Sequence, residues 1–359
     1  MHSVYYFCFV KSKKRILVAP LNWGIGHATR CIPIIENLIK NDFEVLIATS
    51  GRPLQLLQEE FPNIKSIEFR DYNINYSSYL PMSLNILFQI PKLFLAIKKE
   101  QKILNKIIKS QKIDGVISDN RYGLYIKNVP CVFITHQLQI KSPVLQTIIQ
   151  KINYKLISKF KECWIIDDES INLAGSLSKP KSLPQKSKYI GTLSRFKKIK
   201  SVKKFKLVAI VSGPEPQRTI FENKLMKEMQ KSKEKMLLVL GKPESNVSKK
   251  INNLTVKSFL NSNDLNIAIQ SSDLVISRSG YSTVMDLHKL EKKAVFIPTP
   301  GQTEQEFLAN YLKEKKICYS IHQNDIDLDK IFKKSENYSG FSNSKKSDKI
   351  KWEELFSLF

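Results

Sequence analysis

Apolar runs of about five residues alternate with longer stretches in which apolar positions recur three and four apart, the signatures of buried strands and one-faced helices. In the first half, runs at 15–19, 43–49, 64–69, 115–118, 131–135 and 163–166 predict strands. Stretches at 28–40, 52–60, 83–111 and 143–159 predict helices; in the first, Ile32, Ile34, Ile35, Leu38 and Ile39 would form the buried face. The pattern restarts at 205, with strands at 205–211, 235–240, 254–258, 273–277, 294–297 and 317–321 and helices at 218–231, 263–271, 281–290 and 303–315. Such alternation implies a parallel sheet with helices on both faces. The fold class is therefore α/β, with two doubly wound Rossmann-like domains facing each other across a cleft. They are expected at 12–174 and 205–332, joined by a Ser-, Lys- and Pro-rich connection at 175–204. Residues 333–359 read as a polar loop and a C-terminal helix.

A chain of 359 residues with 42% hydrophobic content can bury two such cores. Its net charge of +25 first suggests nucleic acid. Only eight of its 58 basic residues are arginine, however, and the lysines are spread evenly, so the charge reads as a compositional bias and no nucleic acid partner is expected. Five scattered cysteines (Cys8, Cys31, Cys131, Cys163, Cys318) without a CxxC pair point to a reducing, cytoplasmic setting. No apolar run approaches the ~18 residues that span a bilayer, and Val4–Val10 lacks the basic start and cleavage site of a signal peptide.

In such folds ligands sit outside the carboxyl ends of the strands. Five loops there carry candidate chemistry. Gly24-Ile25-Gly26-His27 lies between the first strand and helix, where glycines admit a ligand close to backbone and His27 can exchange a proton near neutral pH. "GVISDNRYG" (115–123) offers Asp119, Asn120 and Arg121, and "FITHQLQ" (133–139) offers His136. "VSGPEPQRT" (211–219) brings Gly213 and Arg218 to the start of a helix. Arg278 ends a strand in "ISRSG", beside Ser279 and Gly280. In a chain that uses lysine nearly everywhere, Arg30, Arg121, Arg218 and Arg278 all fall in these motifs, and arginine's planar fork suits phosphate or carboxylate.

The stretch "SDLVISRSGYSTVMDLHKLEKKAVFIPTPGQTEQEFLANYLKEK" (272–315) closely resembles the nucleotide-sugar-binding half of MurG-like glycosyltransferases, family 28, which have the GT-B fold. Gly24-x-Gly26-His27 looks like that family's Gly-Gly-His loop. The resemblance implies a UDP-sugar donor held by Gly213, Arg218, Arg278, Ser279, Gly280, Thr283, Asp286 and Gln305, with Asp286 on the ribose hydroxyls and Arg218 on the diphosphate. It implies an acceptor side built from Gly24, Gly26, Arg30, Arg121 and His136, with His27 or Asp119 as the base. Asp286 stands where the family has Glu, Gln137 replaces an acid, and Leu308-Ala309 replaces Asn-Ala.

The expected activity is transfer of N-acetylglucosamine or another hexose to a hydroxyl of a lipid-linked or cell-envelope glycan acceptor. Inversion is carried over from the family. No metal or other cofactor is expected, the UDP-sugar being a co-substrate, because no convincing Asp-x-Asp metal motif is present: Asp325-Ile326-Asp327 falls in a loop near the chain end. An epimerase or hydrolase of UDP-N-acetylglucosamine on the same fold is the alternative, and a basic nucleic-acid binder a more distant one. Residues 80–97, dense in Leu and Phe and followed by Lys98, Lys99 and Lys102, read either as a patch resting peripherally on an anionic inner membrane face or as a buried helical hairpin.

Overall fold

The computed structural model describes residues 12–69, 82–140, 146–342 and 349–359, with backbone alone over 82–91. The first sheet contains β1 (Arg15–Pro20), β2 (Glu44–Thr49), β3 (Ser66–Glu68), β4 (Gly115–Asp119), β5 (Cys131–Thr135), β6 (Glu162–Ile165) and β7 (Ser187–Tyr189), in the order 3-2-1-4-5-6-7. All of its pairings are parallel. The second contains β8 (Phe205–Ile210), β9 (Met236–Val239), β10 (Ser248–Ile251), β11 (Leu254–Lys257), β12 (Ser272–Ser277), β13 (Ala294–Phe296) and β14 (Tyr319–Ser320), in the order 10-11-9-8-12-13-14. There only the β10–β11 hairpin is antiparallel. The strand order reverses between β1 and β4 and again between β8 and β12. Those are the switch points at which such sheets open a crevice for ligands.

The central strands form because their residues are apolar on both faces. Ile16 to Ala19 and Leu207 to Ala209 are each wholly buried. The helices α1 (Ile25–Lys40), α2 (Gly51–Glu60), α3 (Met82–Gln111) and α4 (Gln146–Ile157) cover the first sheet. The second is covered by α5 (Gln217–Met229), α6 (Ser262–Gln270), α7 (Tyr281–Lys289), α8 (Thr303–Glu314) and α9 (Leu328–Ser335). Three residues expected in the connection, Ser187–Tyr189, instead form the edge strand β7. Such a short, half-buried segment shows no periodicity to read.

The last helix, α10 (Trp352–Phe356), returns to the first domain. Phe356 and Phe359 meet Phe43 edge-on at 5.8 and 6.5 Å and lie 6.4 and 6.3 Å from Trp164. The α-carbon of Gly115 faces the same ring: a β-carbon there would come within 2.3 Å of Phe359. The first domain's core is thus closed by the end of the chain.

Candidate active site between the two domains

At the first switch point the chain leaves β1 through Leu21–Gly24 and enters α1 at Ile25. Gly24 caps the helix at φ 144°, a backbone state that side chains rarely adopt. Gly26 faces the second domain. Ser282 Oγ donates to its carbonyl at 2.8 Å, and a β-carbon on Gly26 would lie 3.0 Å from that oxygen. Gly26 is therefore a point of contact between domains and not a surface for the acceptor, while Gly24 has open space around its α-carbon.

Behind this loop lies a buried polar chain. Arg30, one turn into α1, grips Asp119 at the end of β4 bidentately: Nε donates to Oδ2 at 2.7 Å and Nη2 to Oδ1. Arg30 Nη2 also donates to His27 Nδ1 at 2.8 Å, and Asp119 Oδ2 stands 3.2 Å from the same nitrogen. Arg30 Nη1 donates to His136 Nδ1 at 3.2 Å. His136 Nε2 in turn donates across the cleft to Glu304, at 2.9 Å, and its ring stacks on Tyr281 at 4.4 Å.

The geometry corrects several sequence-based expectations. Asp119 is completely buried. Burial alone would raise its carboxyl, but the charges of Arg30 and His27 and the bonds they make hold it well below the ordinary range. A carboxylate so stabilised and enclosed is not the base; it neutralises Arg30 and stands beside His27 Nδ1. Arg30 and His136 are buried within this chain and so are not acceptor contacts. Arg121 is fully buried too, bonded to Glu100 at 2.8 Å beneath the ring of Phe69. Of His27, Arg30, Asp119 and His136, His27 is the most exposed, with 16% of its side chain accessible. Burial, then Arg30, pushes its pKa below the usual value, so the ring is neutral at pH 7. Trp23, half exposed on the same loop, and Glu304 were given no role from the sequence. Glu304's place in the first turn of α8, one residue before Gln305, was the available signal.

At the second switch point two arginines differ in their partners. Arg218 is buried, and its guanidinium is held by Glu215 at 2.5 Å, Glu222 at 2.7 Å and the Leu240 carbonyl at 3.3 Å. Two carboxylates already answer its charge, so it does not serve as the diphosphate cation. Arg278 differs. Its Nη1 donates to the carbonyls of Ile297 and Pro298 and its Nη2 to those of Gln217 and the Gln323 side chain, all neutral groups. Phe221 lies under it at 4.1 Å, and burial pulls the guanidinium down to about 10. Its Nε and the Thr299 hydroxyl are buried without partners. Both face Gly213, from whose β-carbon position they lie 3.8 and 3.4 Å. Gly213 has φ 111°, so glycine is required for the turn and also leaves this corner open.

Around this corner Gly280 caps α7, whose first N–H groups lack helical partners. Ser279 Oγ donates to the Gln305 carbonyl at 2.7 Å, and Gln305 Oε1 accepts from Thr299 N at 2.9 Å. Ser279 and Gln305 thus hold the Pro298–Gly301 loop. Thr283 is half-buried on α7. Asp286 is buried and accepts from Ser194 Oγ of the connection at 2.6 Å. Burial raises its carboxyl to about 6, against the pull of Arg195. The connection therefore borders the expected ribose position, a part for Ser194 that the sequence reading missed.

Residues 207–354 match the glycosyltransferase family 28 C-terminal domain. The second domain belongs to that family. Over 93% of its length the chain is 25% identical to the UDP-N-acetylglucosamine--N-acetylmuramyl-(pentapeptide) pyrophosphoryl-undecaprenol N-acetylglucosamine transferase of Sulfurihydrogenibium sp., covering 96% of that relative. Among solved structures it resembles MurG of Acinetobacter baumannii, with a TM-score of 0.53 and 14% identity over 91% of this chain and 92% of the other. It also resembles the spinosyn rhamnosyltransferase SpnG complexed with thymidine diphosphate, with a TM-score of 0.62 and 12% identity over 91% and 93%. The chain is a MurG-like glycosyltransferase with the GT-B fold.

Proposed function

We propose that this glycosyltransferase moves N-acetylglucosamine, or another hexose, from a UDP-sugar to a hydroxyl of a lipid-linked or cell-envelope glycan acceptor, with inversion and without a metal. One observation carries the donor side. Arg278 is a buried cation with no carboxylate among its bonds, and its unpartnered Nε is turned toward Gly213 at a switch point. A buried charge without a counter-ion is costly, and a diphosphate seated at Gly213 would supply one. The start of α7 adds N–H groups and a positive helix end. The names of the relatives support the choice of UDP-N-acetylglucosamine and of a lipid-linked acceptor.

His27, on the facing domain, is the proposed base. Its Nε2 takes the proton of the acceptor hydroxyl as that oxygen bonds the anomeric carbon. The bond to the diphosphate breaks with its electron pair going to the β-phosphate oxygen, whose growing charge meets Arg278 and the α7 amides. Attack from the face opposite the leaving group inverts the centre.

Among the described residues no helix is long and apolar enough to cross a membrane. Phe94 and Leu95 on α3 are 43% and 68% exposed, beside exposed Lys98 and Lys99, whereas Ile97 is buried. That supports a peripheral contact with anionic lipid over a fully buried hairpin. Leu84, Leu87, Phe88 and Ile90 lie outside the residues whose side chains are described.

The test is a thermal-shift comparison of UDP, GDP and dTDP, followed by product analysis with UDP-N-acetylglucosamine in the presence and absence of lipid acceptor. A ligand at a hundred times its Kd stabilises by about 2.7 kcal/mol. Stabilisation by UDP, with sugar transferred only when acceptor is present, is expected. Acceptor-independent turnover would favour the epimerase or hydrolase, which the relatives do not support.

A further inference from the structure

His27 Nδ1 faces two groups with incompatible demands. Arg30 Nη2, 2.8 Å away, can only donate, so it needs a lone pair on Nδ1. Asp119 Oδ2, 3.2 Å away, can only accept, so it needs a proton there. A neutral imidazole carries one proton on its two nitrogens and satisfies one of these partners. The shorter contact is to Arg30, and Asp119 is already doubly bonded by the same guanidinium.

We propose that Arg30 is a positioning residue that stores His27 as its Nε2–H tautomer, in which the imidazole has no lone pair toward the cleft. His27 then accepts a proton from the acceptor only after Arg30 Nη2 leaves Nδ1 and Asp119 takes an Nδ1–H. The change is balanced: one proton leaves Nε2 for water and one enters at Nδ1, with no net uptake. The inference rests on His27 being the base.

The same geometry identifies what holds Arg30. Glu304 accepts from His136 Nε2, which places that ring's proton on Nε2 and leaves Nδ1 to accept from Arg30 Nη1. Glu304 and Tyr281, which stacks on His136, come from the second domain, as does Ser282, which bonds the Gly26 carbonyl. The groups around His27 are thus Arg30, Asp119 and His136, with Cys31 against Asp119 and Glu304 beyond His136. Relative movement of the domains would reach the tautomer through this line of bonds.

The tautomer is read directly in protein labelled with 15N-histidine, at a pH above imidazole titration, with His27→Gln assigning the signals. Two-bond nitrogen–proton correlations separate a protonated ring nitrogen from one bearing a lone pair. The expected result in the unmodified, ligand-free protein is a protonated Nε2 and a bare Nδ1 on His27. A protonated Nδ1 would overturn the proposal, and the only variant this arm uses, His27→Gln, serves to assign the signals. Arg30→Lys, which retains a charge for Asp119 but not the fork, is expected to move the proton to Nδ1. Glu304→Ala is expected to shift the His27 ring nitrogens although Glu304 does not touch them; unchanged signals would remove the cross-cleft part. The base reading is tested separately by turnover. Loss of activity in His27→Gln together with a protonated Nδ1 in the parent would leave His27 as base and remove Arg30 from its control.

Discussion

Replacing Asp119 by Asn tests the buried chain at its centre. Asn keeps the shape of the side chain and removes its charge, so Arg30, 3% exposed, loses its counter-ion in a dry setting. Breaking a buried pair by removing one partner costs about 3–5 kcal/mol. At about 2–4 °C per kcal/mol for a domain of this size, that is a fall in melting temperature of about 6–20 °C. Removing both charges, as in Arg30→Met with Asp119→Leu, should cost less than Asp119→Asn alone, because no uncompensated charge remains. The pH dependence has a definite sign. Asp119's carboxyl is held below its unfolded value of about 3.9, so its contribution is complete above that pH and is lost as pH falls further. The melting difference between parent and Asp119→Asn should be constant from about pH 7 to 8, where His27 is neutral, and shrink as pH falls below the unfolded carboxylate value, measured by differential scanning calorimetry. A variant melting within about 1 °C of the parent, or a difference that keeps growing below the unfolded carboxylate value, would refute the reasoning.

His27→Ala should lower kcat by about 10²–10⁴-fold, the usual share of a general base, while UDP affinity by calorimetry is retained. Asp286, buried and raised to about 6, is destabilising when ionised, so Asp286→Asn should melt no lower than the parent at pH 8; a raised Kd for UDP would mark its place at the ribose. Gly115→Ala drives a methyl group into Phe359 and Ile16, and an overpacking cost of about 1–3 kcal/mol should appear as a lower urea midpoint. Phe94→Ser with Leu95→Ser should abolish co-sedimentation with anionic vesicles at low salt without changing the melting temperature; no sedimentation of the parent would leave a soluble acceptor as the better reading.

The architecture was legible because both sheets are parallel apart from the β10–β11 pair and are covered on two faces. Strands such as β1 and β8 then contain continuous apolar runs, and helices such as α1 show a single apolar face. Of the strands, those that escaped were short and at an edge: β7 with three residues and β10, Ser-Lys-Lys-Ile, whose side chains are largely exposed; the helix α9 was also missed, its end falling where a polar loop was expected. Neither β7 nor β10 has the length or alternation that marks a strand. The start of α1 was placed late, at 28 where the structure has Ile25, because glycines at 24 and 26 read as a turn. Only Gly24 is the turn; Gly26 and His27 already form the first turn of the helix, which is what aims His27 at the facing domain.

The candidate site was legible as a set of loops and misread in its arginines. Scarcity of arginine in a lysine-rich chain did single out Arg30, Arg121, Arg218 and Arg278, and all four are buried. The planar fork that suits a phosphate equally suits an internal carboxylate, so the same chemical argument fits both outcomes. What separates them is whether a carboxylate stands nearby. For Arg30 that partner is 89 residues away and for Arg121 it is 21 away, distances that no local pattern bridges. For Arg218 the information was local: Glu215 and Glu222 lie at −3 and +4, the spacing that places side chains on one face of a helix turn. Reading that spacing first would have assigned its charge inward and left Arg278 as the cation proposed for the diphosphate. A rare arginine in a switch-point loop is therefore evidence for an anion only after carboxylates within one helical turn have been counted against it.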